Sequence, residues 1–180
     1  MSSTQGTTTA TGTWNLDPVH SSVSFEISYM AGTFKGTFRE MSGQLAIDGD
    51  HATLDGIARV ASVDVKDETL ATHLQSPDFF DAERFPELRF HAEDIPVDGE
   101  STAVQGEITI KGETRPLSAT GTISGPMTDA FGNERINLRL AATVDRTEFG
   151  VSWNMPLPTG QPALANEVHI DADLYFVKAA

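Results

Sequence analysis

Apolar and polar residues alternate along most of this chain. Val23, Phe25, Ile27 and Tyr29 occupy every second position, with Ser22, Ser24, Glu26 and Ser28 between them. Successive side chains of a strand point to opposite faces, so this pattern predicts a strand with one buried face. The alternation returns at Leu45 and Ile47, at Leu88, Phe90 and Ala92, and at Val104, Gly106, Ile108 and Ile110. It returns again at Leu117, Ala119, Gly121 and Ile123. The two longest runs are Ile136, Leu138, Leu140, Ala142 and Val144, then Val168, Ile170, Ala172, Leu174 and Phe176. Asp48-Gly49-Asp50 and Lys111-Gly112 end two of these runs as turns. Between Ala52 and Val65 the parity fails, since Ile57, Val60 and Val63 do not share a face, and a bulge is the expected remedy. Gly32 and Gly36, beside Phe34 and Phe38, predict a bend in the preceding strand. Turn residues at this close spacing indicate an all-β barrel or sandwich.

One stretch breaks the alternation. Leu70 and Leu74 are spaced for a helical turn within residues 66–75. Ser76-Pro77 then offers an N-cap and first-turn proline ahead of Phe79-Phe80. A short helical excursion is therefore expected near residues 66–82. Residues 154–165 contain Pro156, Pro158, Gly160 and Pro162 and cannot form a central strand. Met1 to Thr13 is rich in Ser, Thr and Gly and is expected to be a flexible N-terminal tail, leaving residues 14–178 as a single domain. Gly106, Ala119, Gly121, Ala142 and Ala172 are small residues on apolar faces. They would need large partners in a sandwich, whereas in a barrel they could leave room for a ligand. Spacing alone leaves both architectures open.

Composition narrows the function. The 180 residues, 39% of them hydrophobic, are enough to bury a sizeable core. A net charge of −14 disfavours nucleic acid and anionic membrane surfaces as partners. The chain has no cysteine, so disulfides, thiolate metal sites and thiol nucleophiles are excluded. No apolar run reaches membrane-spanning length, and the first residues show no signal-peptide pattern, so a cytoplasmic protein without stable membrane insertion is expected.

Candidate chemistry is sparse. His20, His51, His73, His91 and His169 form no metal-ligand spacing. His91 and His169 fall on the polar parity of their strands, and His51 follows a turn. His20-Ser21 is a base beside a hydroxyl, but neighbours in a strand face apart. Asp145, Arg146 and Glu148 read most simply as local ion pairing. No catalytic residue and no metal site is expected. The aromatics carry more: Phe25 and Tyr29 share a face, Phe79 and Phe80 lie in the helical excursion, and Phe149 and Trp153 share parity beside the proline-rich loop. They read either as plain core or as the wall of a pocket.

A series of short motifs then suggests a family. Trp14-Asn15-Leu16-Asp17-Pro18-Val19-His20-Ser21 is followed by Val23-x-Phe25, and Gly36-x-Phe38 precedes Ser42-Gly43. Ser62-Val63-Asp64 leads to His73-Leu74-Gln75-Ser76-Pro77-Asp78-Phe79-Phe80-Asp81. Phe85-Pro86, Phe90, Gly106-x-Ile108-Thr109-Ile110-Lys111-Gly112 and Asp145-Arg146-x-x-Phe149-Gly150 complete the series. In this order, over residues 13–177, the chain resembles the YceI-like family. The resemblance implies a lipocalin-like antiparallel barrel of about eight strands around an elongated apolar interior. It also implies non-catalytic binding, transport or storage of an isoprenoid lipid, either a polyprenol or a prenylated quinone, and a homodimer. No other cofactor is implied.

The sequence departs from the family pattern at two places. Tyr29-Met30 stands where a histidine usually precedes the methionine, and Leu70-Ala71-Thr72 stands where Arg-Asp usually precedes His-Leu. The second departure leaves the helical excursion without a charged head-group anchor. Parity and resemblance together assign the ligand wall to Val23, Phe25, Ile27, Tyr29, Phe79, Phe80, Ile108, Leu138, Leu140, Phe149 and Trp153. The alternatives are an enzyme or stress-response protein acting on a bound isoprenoid through His20, His73 or Arg146, and a structural protein with a filled barrel.

Overall fold

The chain forms a closed antiparallel barrel, seen in a computed structural model that describes residues 10–179. The strands are β1 (Gly12–Leu16), β2 (Ser22–Tyr29), β3 (Gly32–Phe38), β4 (Met41–Asp48), β5 (His51–Arg59), β6 (Val63–Asp64), β7 (Glu87–Pro96), β8 (Ser101–Ile110), β9 (Glu113–Thr128), β10 (Glu134–Asp145) and β11 (Leu164–Lys178). The α-helix α1 (Glu68–Leu74) lies between β6 and β7. Hydrogen-bonded neighbours run β1-β4-β5-β7-β8-β9-β10-β11, and a further β1–β11 pairing closes these eight strands into a ring. β2 pairs with β11 along the same edge as β1, nearer the start of β11, and β3 and β6 extend outward from β2. The open choice between sandwich and barrel is thus resolved as a lipocalin-like barrel, whose closure removes the exposed edges of the ring.

β11 is the spine of this arrangement. Along one edge it follows β10 from Asp145↔Glu167 to Arg135↔Val177. Along the other it pairs first with β2, up to Ser22↔Asp173, and then with β1, from Leu16↔Phe176 to Trp14↔Lys178. The chain must step from β1 to β2 without losing this ladder, and Asp17 to Ser21 make the step. Asp17 N–H donates to the Tyr175 carbonyl at 2.7 Å. The Ser21 hydroxyl accepts from Tyr175 N–H at 2.9 Å and lies 2.7 Å from the Asp17 carbonyl, to which it donates. A side-chain oxygen here takes the place of a backbone partner. Ser21 is therefore committed to the backbone, and the His20-Ser21 pair is a structural joint.

An ion triad pins the joint to the β9–β10 turn. Arg135 donates from Nη1 to Asp17 Oδ2 at 2.8 Å and from Nε to Asp129 Oδ2 at 2.7 Å. His20 Nδ1 lies 2.6 Å from Asp17 Oδ2. Burial pushes the Asp17 carboxyl up, but hydrogen bonds from His20, Arg135 and Val19 N–H outweigh it and hold Asp17 down at about 2. The Arg135 hydrogen bond is the main cause holding Asp129 at about 2 as well.

The interior divides into two levels. Trp14, Leu45, Ile95, Val104, Leu138 and Phe176 are essentially fully buried and fill the end next to β1. The Trp14 indole donates to the Ala10 carbonyl at 2.7 Å, satisfying the polar atom of that core. A second cluster, with Ile27, Phe38, Leu74, Phe79, Ile108 and Phe149, occupies the end covered by α1. Gly121 permits the close approach of β9 and β10: a Cβ there would stand only 1.6 Å from the Arg139 carbonyl oxygen.

Several local expectations need correction. Gly32 and Gly36 do not bend the first long strand. They belong to β3, which returns along β2 after a turn at Met30-Ala31, where Met30 takes a positive φ of 53°. Gly36 lies opposite Phe25 because a Cβ would fall 2.5 Å from the Phe25 ring. The parity break after Ile57 is a 3₁₀ turn at Val60–Ser62 that separates β5 from β6. The bulge in this region lies instead on β7, where three steps from Ile95 to Ala92 face two from Ala52 to Leu54. The helix begins earlier than Ser76: Asp67 is its cap and accepts from Thr69 N–H at 3.0 Å. Ser76-Pro77 opens turns, with Phe79 N–H and Asp81 N–H both donating to the Ser76 carbonyl. The N-terminal boundary also moves, because Gly12 and Thr13 pair with Ile47 and Ala46, and Ala10 is buried. The rest of the expected tail, residues 1–9, lies outside the described residues.

Two outcomes follow for stability. Gly121→Ala must push β9 from β10 and is expected to cost about 2–3 kcal/mol, the upper range for overpacking, read as a lower urea midpoint. The Asp17 carboxyl titrates at about 2 in the folded chain against an ordinary 3.8, so its contribution is complete above pH ~4 and lost as pH falls towards ~2. Urea midpoints between pH 6 and 2 should show this acid limb, and Asp17→Asn should flatten it while lowering the midpoint at pH 6; an unchanged limb would show that Asp17 is not its source.

Candidate functional site: an apolar cavity

Above the packed end, the barrel holds a cavity of about 410 Å³. Its wall includes Val23, Phe25, Ile27 and Tyr29 of β2, Ile108 of β8 and Leu140 of β10. Phe79, Phe80, Phe149 and Trp153 from the connecting segments also line it. Leu138 does not. It faces inward as its parity requires, but one inward step from Leu140 takes it into the packed core around Trp14, where it is 0% exposed. Alternation specifies a face of the sheet and leaves the level along the barrel undetermined. The small residues divide similarly: Ala119, Ala142 and Ala172 line the cavity, while Gly106 and Gly121 admit close backbone or side-chain contacts.

Aromatic rings build two sides of the upper cavity. Phe25 packs against Phe34, Phe38 and Phe80 with ring centroids 6.0, 5.7 and 6.3 Å away. Opposing them in composition, Trp153, Phe79 and the His73 imidazole form a second group, with centroids 4.8 to 5.4 Å apart. α1 places Leu70 and Leu74 on the cavity, and Leu74 is buried. Tyr29 lines the cavity and is 47% exposed, so the cavity reaches solvent at that rim. The cover is tied down by Lys111, whose Nζ donates to the Pro77 carbonyl at 2.6 Å and the Gly150 carbonyl at 3.2 Å. Lys111 and Gly112, both at positive φ, form the two-residue turn between β8 and β9 that presents this amine.

Sequence reasoning left out Phe34 and Phe38, which line the cavity from β3. Their alternation with Gly36 was the available signal, masked by reading the glycines as a bend. It also left Arg146 outside the ligand wall. Arg146 lines the cavity, is only 5% exposed, and lies in the 3₁₀ turn Arg146–Phe149 that follows β10. Nε donates to the Ala165 carbonyl at 2.9 Å, and Nη1 donates to the Val151 and Trp153 carbonyls at 2.8 and 2.9 Å. Burial pushes the guanidinium pKa down, with the charge of Asp145 acting against it. Asp145 is itself bound to Thr147, whose N–H and hydroxyl both donate to it.

The histidines separate clearly. His73 lines the cavity, and its Nε2 lies 3.0 Å from Asp78 Oδ2. His20, His51, His91 and His169 are not in the lining. His91 sits on the outer face between Glu93 and Asp55, which raise its pKa by hydrogen bonding. Among the described residues, no group of three or more His, Asp or Glu side chains is arranged to hold a metal ion. No helix among them is long and apolar enough to cross a membrane.

Comparisons with known proteins agree with this architecture. A UPF0312 protein from Staphylococcus epidermidis is 31% identical over 173 residues, covering 91% of this chain and 96% of the relative. A Staphylococcus aureus counterpart is 29% identical over the same shares of the two chains. Among solved structures, Burkholderia cenocepacia BcnA superposes with a TM-score of 0.76 at 24% identity, covering 89% of this chain and 98% of that one. A polyisoprenoid binding domain from Saccharophagus degradans superposes with a TM-score of 0.70 at 14% identity, covering 92% and 98%. At these identities the superpositions establish the fold. The YceI-like domain model matches residues 14–176, nearly the whole barrel, and the chain belongs to the YceI-like family.

Proposed function

We propose that the barrel binds a long isoprenoid-type chain in its cavity and acts as a carrier or store for it, without catalysis. The observation that carries this reading is the cavity walled by aliphatic and aromatic side chains from β2, β3, β8, β10 and the α1 cover. Such a wall offers a prenyl tail contact in many directions and asks for no directional bond. Each methylene moved from water into it contributes about 0.8 kcal/mol, so a long tail supplies most of its own affinity. A related barrel from Saccharophagus degradans is described as polyisoprenoid-binding, which supports the same ligand class here.

The packed end and the hollow end give the reading a clean test. Phe25 stands at the centre of one aromatic group, and Phe25→Asp should abolish uptake of Nile red and of added polyprenol. Gly56 offers a gentler variant. It shares inward parity with Leu54 and Ala58, lines the cavity, and a Cβ there meets nothing within 4 Å. Gly56→Leu should fill space without a clash, leaving the melting temperature within about 2 °C and weakening polyprenol binding about ten-fold. Full polyprenol binding by both variants, folded, would overturn the reading.

A further inference from the structure

Resting on that reading, we propose that Arg146 anchors the ligand's head and that the preferred cargo is an apolar chain ending in an anionic oxygen group, a carboxylate or a phosphate. Three observations converge. Arg146 lines the cavity and is 95% buried, being 5% exposed. Its Nε and Nη1 are committed to the Ala165, Val151 and Trp153 carbonyls, while the buried Nη2 has no hydrogen-bond partner among the described residues. The three partners it has are neutral carbonyls, and its neighbour Asp145 is engaged by Thr147. A cation taken out of water with no anion hydrogen-bonded to it is costly, as is a buried donor left unmade. A ligand oxyanion against Nη2 would relieve both costs at once, which a hydrocarbon or a terminal alcohol cannot do.

The location suits a head group. Arg146 holds the Val151 and Trp153 backbone, and Trp153 packs on His73 and Phe79 beneath the α1 cover. An acidic head placed there leaves the tail to run among the Phe25, Ile108 and Leu140 side chains. Arg146 would then supply the charged anchor that Leu70 and Leu74 of α1 do not bring to the cavity. Long-range attraction cannot be the origin of such a preference, because the net charge of −14 opposes the approach of any anion.

The test compares geranylgeranoic acid and geranylgeranyl phosphate with geranylgeraniol, which share one tail, as competitors of Nile red on the full chain at pH 8. The expected result is binding of both acids at least ten-fold tighter than the alcohol in the unaltered protein. Arg146→Met should bring that ratio close to one while the alcohol still binds. Should Arg146→Met not fold, Arg146→Lys serves, since its displaced ammonium should lower the ratio several-fold; an unchanged ratio there counts against the proposal. Tighter binding of only one acid would identify which of the two heads is the cargo. Equal binding of acids and alcohol would overturn the anchor and leave the apolar-chain reading standing. Failure of all three to displace Nile red would overturn both.

Discussion

The barrel depends on one strand pairing with two others along the same edge. β11 holds β1 at one end and β2 at the other, and the ring closes only because both ladders keep register with it. The step between them is made by Asp17 to Ser21, with the Ser21 hydroxyl standing in for a backbone group opposite Tyr175. Were that step free to slide by one residue, every inward side chain of β2 would turn outward. Phe25 and Ile27 would then leave the cavity. The motif that most strongly marks the family is thus a register device, and its histidine and serine serve geometry.

That division explains what was legible in the sequence. Strand faces were, because the alternation of Val23, Phe25 and Ile27, or of Leu138, Leu140 and Ala142, is set by burial on one side of a sheet. Closure into a ring was not, because it rests on the β1–β11 pairing between the two ends of the chain, which leaves no local trace. Depth was not legible either: Leu138 and Leu140 have the same parity and similar chemistry, yet one is packed against Trp14 while the other lines the cavity. Turns misled where one residue type serves two purposes. Gly36 is there to admit the Phe25 ring, and the Ser76 hydroxyl donates back to the His73 carbonyl at 2.6 Å and accepts from Asp78 N–H at 3.3 Å, closing a turn after the helix where a cap at its start was expected.

Arg146 illustrates a different limit. Its place in Asp145-Arg146-x-x-Phe149-Gly150 suggests surface ion pairing, since charged residues in a turn are usually solvated. Burial comes from the segment that follows, because the carbonyls of Val151, Trp153 and Ala165 converge on the guanidinium. A planar group with five donors can gather the irregular Val151–Trp153 backbone and the start of β11, which share no periodicity. The same residue therefore organises the loop beside the cavity and brings a positive charge into an otherwise apolar wall.

The packed end of the barrel carries a consequence for traffic. Trp14, Leu138, Val104 and Phe176 form a floor, and the cavity meets solvent at the Tyr29 rim. A tube packed shut at one end imposes polarity on a guest that enters at the Tyr29 rim: the part that enters last must emerge first. A guest that enters tail-first would leave head-first, and an acceptor would meet that head before any of the chain. Delivery would then be a handover begun at the head, with the tail withdrawn only as the acceptor offers apolar surface of its own.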